Sequence, residues 1–258
     1  MKSVELLVVV TLVLAVALLI TLAYNYLMPS EWLRTLAVFY LYTTFNPQEQ
    51  YTAYSPEGVT AIVWDYRGLD TLFETAVFYL ALISGLSLAR GLFSERLGQG
   101  QEGVGLSVIV KTVTKITAPM ILAVGASIAF HGHLTPGGGL PGGPTIAVVT
   151  LVLIVIFSTG YLLKQGITTN KMLALRSIGL TGIGITAVSA FLVGLASGSF
   201  GYVFQNMPKP NAPAGLPNYI GDVLISGTLW FFNLFEMLAV AAGFTMVFII
   251  LLLLKWGE

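Results

Sequence analysis

Six stretches of this chain stay apolar for about twenty residues or more, at roughly 4–27, 69–90, 107–129, 142–163, 172–196 and 223–254. A helix rises ~1.5 Å per residue and the hydrocarbon layer of a bilayer is ~30 Å thick, so each run predicts one membrane-spanning helix. The last run is longer than one span needs and contains Asn233 and Glu236. It is expected to begin in the interface, or to be tilted or broken. The first run is too long for the apolar part of a signal peptide, and no small-residue cleavage site follows at Tyr24-Asn25-Tyr26, so an uncleaved helix is expected. The pattern predicts an all-α integral membrane protein with about six transmembrane helices.

The polar segments between the runs carry the orientation. One side collects Lys2, Arg90, Arg96, Lys111, Lys115, Lys164, Lys171, Arg176 and Lys255, and the other only Arg34, Arg67 and Lys209. Basic residues accumulate on the cytoplasmic side, so both termini are expected inside, in a multi-pass protein of the cell membrane. Residues 28–68, the segment from His131 to Gly143, and residues 198–222 then lie outside. Within the first of these, 31–45 is aromatic and free of proline, which suits a helix lying on the outer surface. Four prolines between 205 and 218 point instead to an extended, ordered loop. The glycines from Gly98 to Gly105 mark the expected boundary between a two-helix module, 1–98, and a four-helix module, 99–258. No internal repeat is visible.

Composition agrees with the pattern. Hydrophobic residues make up 56% and charged residues 9%, and the mean hydropathy is +0.86, whereas a soluble domain carries about 25% charged residues. The net charge is zero, which gives no footing for nucleic acid. With no cysteine, thiolate metal sites, iron–sulfur clusters and cysteine nucleophiles are excluded for this chain. No nucleophile–base pair is visible either, and a non-catalytic role is expected.

An ionisable group inside a membrane span is expensive and so faces protein or water. Glu74 lies one turn into the second run, and Asp70, four residues earlier, shares its helix face. Glu236 lies inside the last run. These carboxylates suit either a cation or proton pathway or a buried hydrogen-bonded pair. Lys111 and Lys115 are also four apart, near the start of the third run. They can snorkel to the interface or join the same pathway. His131 and His133 are too few for a zinc site, and no acid lies between 131 and 144, so a proton-relay or hydrogen-bonding role suits them better than metal. Gly182, Thr186, Ala190, Gly194 and Gly198 recur at every fourth position. Such a stripe of small residues lets another helix approach closely.

The segment His131-Gly132-His133-Leu134-Thr135-Pro136-Gly137-Gly138-Gly139-Leu140-Pro141-Gly142-Gly143 forms a glycine-rich connection between two runs. It has no lysine where a phosphate-binding loop would need one, and its glycines suit close packing. This segment resembles the signature of the B subunit of Mrp-type multisubunit sodium/proton antiporters, with Leu140 where that family usually has phenylalanine. The four runs after about 105, with Glu236 in the last, are similar to that subunit's layout. Asp65-Tyr66-Arg67-Gly68-Leu69-Asp70-Thr71, followed by Glu74, resembles the carboxy-terminal region of the Mrp A subunit. Both modules also occur in archaeal membrane-bound hydrogenase and sulfane sulfur reductase complexes.

The resemblance implies a membrane subunit of the sodium/proton-translocating part of such a complex. Glu74, Asp70 and Glu236 would border a path between subunits, and Pro136, Gly137, Gly138, Gly139, Gly142 and Gly143 would form a packing element. The implied partners are other Mrp-like membrane subunits, among them a large antiporter-like one, together with redox-arm subunits and lipid. Sodium is the implied transported ion. The chain itself would carry no cofactor, and any iron–sulfur or nickel–iron centre would sit in a partner. Two alternatives are a purely structural spacer linking antiporter-like subunits to a redox arm, and a subunit of a stand-alone antiporter.

Overall fold

In a computed structural model of the chain, residues 3–27, 33–96 and 105–253 are described. They group into two compact units, Met1–Phe39 and Tyr40–Glu258. The expected module boundary at Gly98–Gly105 falls almost wholly outside the described residues. The first unit is dominated by α1, Ser3–Leu27, whose apolar side chains are exposed from Val4 to Leu22. A helix that is apolar all round and exposed in its own chain is suited to lipid or to a neighbouring protein. Helix α2, Thr35–Thr44, follows within the aromatic segment expected to be helical.

The second unit holds the site. A short turn, α3 (Gly58–Thr60), runs into a π-helical turn, Ala61–Tyr66, and then into α4, Gly68–Arg96. Next come α5 (Val108–Phe130), α6 (Gly139–Phe157), α7 (Thr159–Lys164) and α8 (Thr169–Ser197). A two-stranded hairpin, β1 (Tyr219–Ile220) with β2 (Val223–Leu224), precedes α9, Leu229–Leu253. Gly221, at φ +60°, supplies the left-handed residue that a two-residue hairpin turn needs. Among the described residues, helices α1, α4, α5, α6, α8 and α9 are the six long and apolar enough to cross a membrane, as the hydrophobic pattern predicts.

Two of the runs have different limits from those expected. The fourth does not continue unbroken to 163, because Ser158 takes φ +106° and separates α6 from α7. The last is helical only from Leu229, its first residues being spent on the hairpin and its turn. Helix α9 is the most buried of the six. Helices α6 and α8 pack along it, α5 packs on α6, and α4 packs on α9 beside the π-helical turn.

The small-residue stripe of α8 explains part of that packing. Gly182 faces the Phe235 ring of α9, where any side chain would collide with the ring. Thr186 and Ala190 are buried, and Gly194 meets Gly201 and Ala214 of the following loop. Gly198 leaves the stripe: it closes α8 in the left-handed conformation at φ +66°, and a Cβ there would meet nothing. A helix end, not a helix contact, requires glycine there.

The proline-rich 205–218 segment is ordered by one side chain. Gln205 Nε2 donates to the carbonyls of Met207, Ala212 and Ala214, and its Oε1 accepts the Tyr202 amide. Backbone groups that prolines cannot pair with each other are thereby satisfied from inside the loop.

Candidate functional site

The site begins with an accounting problem at the start of α6. The first N–H groups of a helix have no partner within it. Here the third residue is Pro141, which has no N–H, and the amide of Gly142 already donates to Gly138 O at 3.0 Å. Only Gly139 and Leu140 need outside acceptors, and α9 supplies both. Gly139 N donates to Asn233 Oδ1 at 3.3 Å, and Leu140 N donates to the Glu236 carboxylate. Asn233 and Glu236 lie three apart on one face of α9, so one helix caps the next. The positive end of α6 also favours a negative charge at Glu236.

This contact depends on missing side chains. A Cβ on Gly139 would stand 2.6 Å from Glu236 Cβ and 2.5 Å from the Asn233 carbonyl. Gly138 takes φ +120° to turn the chain into α6. The sequence expects a packing role for these glycines and begins the fourth helical run only at 142, three residues after α6 starts. Gly139, Gly142 and Gly143 are the opening turns of α6 itself, and Gly142 packs on Ala129 of α5 and Gly143 on Val240 of α9.

The other wall comes from the π-helical turn. One extra residue per turn is common at functional sites because it redirects side chains that an α-helix would point elsewhere. The turn carries Trp64 inward. Its indole is fully buried, stacks on Phe232 at 4.3 Å between centroids, and donates Nε1–H to Glu236 Oε2 at 3.3 Å. The same turn places Asp65 3.9 Å from Lys209, whose ammonium also donates to the Thr52 carbonyl at 2.5 Å. Burial pushes the Asp65 carboxyl up to about 6, against the lowering effect of Lys209 and of the Asn206 amide. Burial likewise lowers Lys209, offset in part by Asp65.

Between these walls lies a cavity of about 110 Å³ bordered by Thr60, Thr71, Glu74, Gly138, Asn233 and Glu236, among others. Glu236 is buried at the back. Glu74 is exposed at the mouth, with Val59, Leu140 and Pro141 exposed around it. Leu140, which stands in place of the phenylalanine of the resembled signature, is thus part of the rim. Asn233 Nδ2 is buried without a hydrogen-bond partner, while its oxygen accepts the Gly139 amide.

The remaining candidates lie elsewhere. Asp70 is exposed and pairs with Arg67, the residue just before α4, its Oδ2 accepting Arg67 Nε–H at 2.7 Å. Gly68 is buried against the Phe204 ring. His133 is buried, with Nε2 bonded to the Leu224 carbonyl at 2.7 Å, and its own carbonyl accepts Ser55 Oγ–H and Glu57 N–H. Burial lowers its basicity. His131 is exposed and turns Nδ1 to Ser127 O at 2.9 Å. Lys111 lies at the start of α5, 6.0 Å from the Phe157 ring, and Lys115 is exposed one turn on. None of these six borders the cavity. Trp64 and Thr60 do belong to the site and are not singled out by the sequence, which marks Asn233 only as a polar residue of the last run. The available signal was Asn233 three residues before Glu236, inside an otherwise apolar run.

Comparison with known proteins places this geometry in a family. Residues 109–246 match the family described as a domain related to the MnhB subunit of Na+/H+ antiporters. The match covers more than half of the chain, and the chain belongs to that family. An uncharacterised protein of Methanocaldococcus jannaschii is 26% identical over 203 residues, 73% of this chain and 74% of that protein. A Staphylococcus epidermidis protein named as antiporter subunit mnhB2 is 32% identical over 72 residues, 28% of this chain and about half (51%) of that protein.

Among solved structures, a chain of the membrane-bound sulfane sulfur reductase, an archaeal respiratory membrane complex, is 26% identical with a TM-score of 0.64. The alignment covers 96% of this chain and 97% of that one. A chain of the Mrp complex from Dietzia sp. shares the fold at 18% identity and a TM-score of 0.63, covering 95% of this chain but 26% of its own length. With six apolar spans and these relatives, the chain is a multi-pass membrane protein.

Proposed function

We propose that this member of the MnhB-related family is a non-catalytic membrane subunit of a multisubunit, ion-translocating complex of the Mrp or sulfane sulfur reductase type. In this reading Glu236 and Glu74 provide the chain's portion of a cation or proton path. The observation that carries it is the pairing of a buried carboxylate with an exposed one across a single cavity. Intramembrane carboxylates are costly to retain, and this arrangement gives an ion or proton a route from the inside of the chain to its rim. A carboxylate serves both cargoes, since it coordinates sodium through oxygen and relays a proton when protonated.

Partners follow from the same rim. Glu74, Leu140 and Val59 are apolar or acidic groups exposed at membrane depth or beside it, which suits another membrane subunit better than lipid. A large antiporter-like subunit is the expected neighbour, and any redox cofactor would reside in further subunits. Both termini are assigned to the cytoplasmic side, on the strength of the lysine and arginine asymmetry.

A spacer reading also has an observation in its favour, because Glu236 and Asn233 cap α6 and so have structural work without any ion. Purifying the chain from its native membranes and identifying what accompanies it tests the subunit assignment. Antiporter-like membrane subunits are expected, and recovery of the chain alone would contradict the assignment.

A further inference from the structure

A fully buried guanidinium also lies outside the cavity. Arg176, in the second turn of α8, is 1% exposed. Its NH1 donates to the Ala239 carbonyl of α9 at 2.7 Å. The guanidinium lies 4.6 Å from the Phe78 ring centroid and 5.4 Å from that of Tyr79, both on α4. Gly243, one turn beyond Ala239, has no side chain, and a Cβ there would collide with the guanidinium. Nε has no partner, and no carboxylate among the described residues is within ion-pair distance.

Its position along the helices gives this charge a role. Phe78 is one turn past Glu74 on α4, and Ala239–Gly243 is one to two turns past Glu236 on α9. At ~1.5 Å per residue the guanidinium therefore sits about 5–10 Å beyond the carboxylate cavity, on the side away from its rim. Just past Arg176 the cleft between α4 and α9 is lined by apolar groups, among them Ala81, Leu82, Val247 and Ile250. A brace between helices needs no charge, since apolar side chains of similar volume serve at least as well. A fixed cation next to an ion site instead repels ions of its own sign.

We infer that Arg176 is an electrostatic plug that closes the cavity toward the far ends of α4 and α9. A cation or proton held at Glu236 then leaves only sideways, through Glu74 to a neighbouring subunit. The inference rests on the reading of Glu74 and Glu236 as path residues.

The test uses vesicles containing the assembled complex, with radioactive sodium and a pH-sensitive dye reporting passive leak in the absence of any driving reaction. Arg176→Gln is expected to raise the leak of sodium or protons on the order of tenfold, the effect of removing one charge acting over about 10 Å in a protein interior. Arg176→Lys, which keeps the charge, is expected to stay as tight as the native complex. Adding Glu236→Gln to Arg176→Gln is expected to abolish the leak. Assembled Arg176→Gln complexes with native tightness would overturn the plug. So would failure of both Arg176→Gln and Arg176→Lys to assemble, which would make the residue a structural brace. Driven uptake in Glu74→Gln separates the two readings: if it stays normal the path itself fails, and if it is lost while Arg176→Gln remains tight, only the plug fails.

Discussion

Glu236 accepts the indole N–H of Trp64 at 3.3 Å across a separation of 172 residues. That bond ties the π-helical turn before α4 to the middle of the molecule. It also explains why the tryptophan is fully buried, since an indole N–H withdrawn from water needs an acceptor. Trp64→Phe would keep the stack on Phe232 and remove only the donor. Its expected cost is about 1–3 kcal/mol, the range for leaving a buried polar group without its partner. Trp64→Ala also opens a void and is expected to cost about 3–5 kcal/mol. The temperature at which the detergent-solubilised complex loses its monodisperse chromatographic peak measures both, and a native value for Trp64→Phe would show that the bond contributes nothing.

Gly139→Ala places a methyl group against Glu236 and the Asn233 carbonyl. Overpacking of this kind costs about 1–3 kcal/mol. Gly138→Val adds the strain of a branched side chain at φ +120°. Both are expected to lower the yield of assembled complex on native gels. Gly184→Ala, with open space at its Cα, is the matched control and is expected to assemble normally.

The exposed Arg67–Asp70 pair is expected to matter little for stability. Ion pairs in that setting contribute about 0–1 kcal/mol, so Asp70→Asn should leave the unfolding temperature of the solubilised complex nearly unchanged. Because Asp70 does not border the cavity, the same variant is expected to reduce driven ion uptake less than Glu74→Gln does. A larger loss from Asp70→Asn would place the path along the outer surface of α4.

Asp65 gives the pH dependence. Its folded-state carboxyl is raised from 3.8 to about 6 by burial, so the folded protein holds the proton more tightly than the unfolded chain. The resulting stability is fully present below 3.8 and is lost as pH rises through about 6. The total is about 3 kcal/mol, at ~1.4 kcal/mol per pKa unit. Stability curves of the native chain and Asp65→Asn between pH 3.5 and 7.5 should therefore diverge, the native chain losing ground as pH rises. A constant difference across that range would contradict the assignment.

Much of the fold was legible because a membrane imposes one simple length rule, and all six runs proved helical. The limits of the runs were less so. Gly139-Leu140-Pro141-Gly142-Gly143 has the composition of a loop, yet it is helix, since proline is tolerated in a first turn and α9 supplies the two missing acceptors. No local pattern in α6 records what Asn233 and Glu236 provide from ninety residues away. The two carboxylates stood out as charges in apolar runs, but their shared cavity depends on how α4 and α9 pack. Arg176 was read with the interfacial lysines, since a charge near the start of a run has the same local pattern whether it snorkels or turns inward. Trp64 passed as one more apolar residue, because the π-helical turn that aims it is invisible in the hydrophobic period.

The central claim is that Glu236 and Glu74 act as a titratable pair on an ion path and not merely as a helix cap. Glu236→Gln separates the two roles, because the amide oxygen still accepts from Trp64 and Leu140 while the charge is gone. The decisive measurement is sodium uptake, driven by redox turnover or by a proton gradient, in vesicles holding equal amounts of fully assembled native, Glu236→Gln and Glu74→Gln complexes. The account predicts normal assembly and uptake reduced to the background of empty vesicles in both variants. Native uptake in both would contradict it and leave the carboxylates as packing elements of a spacer.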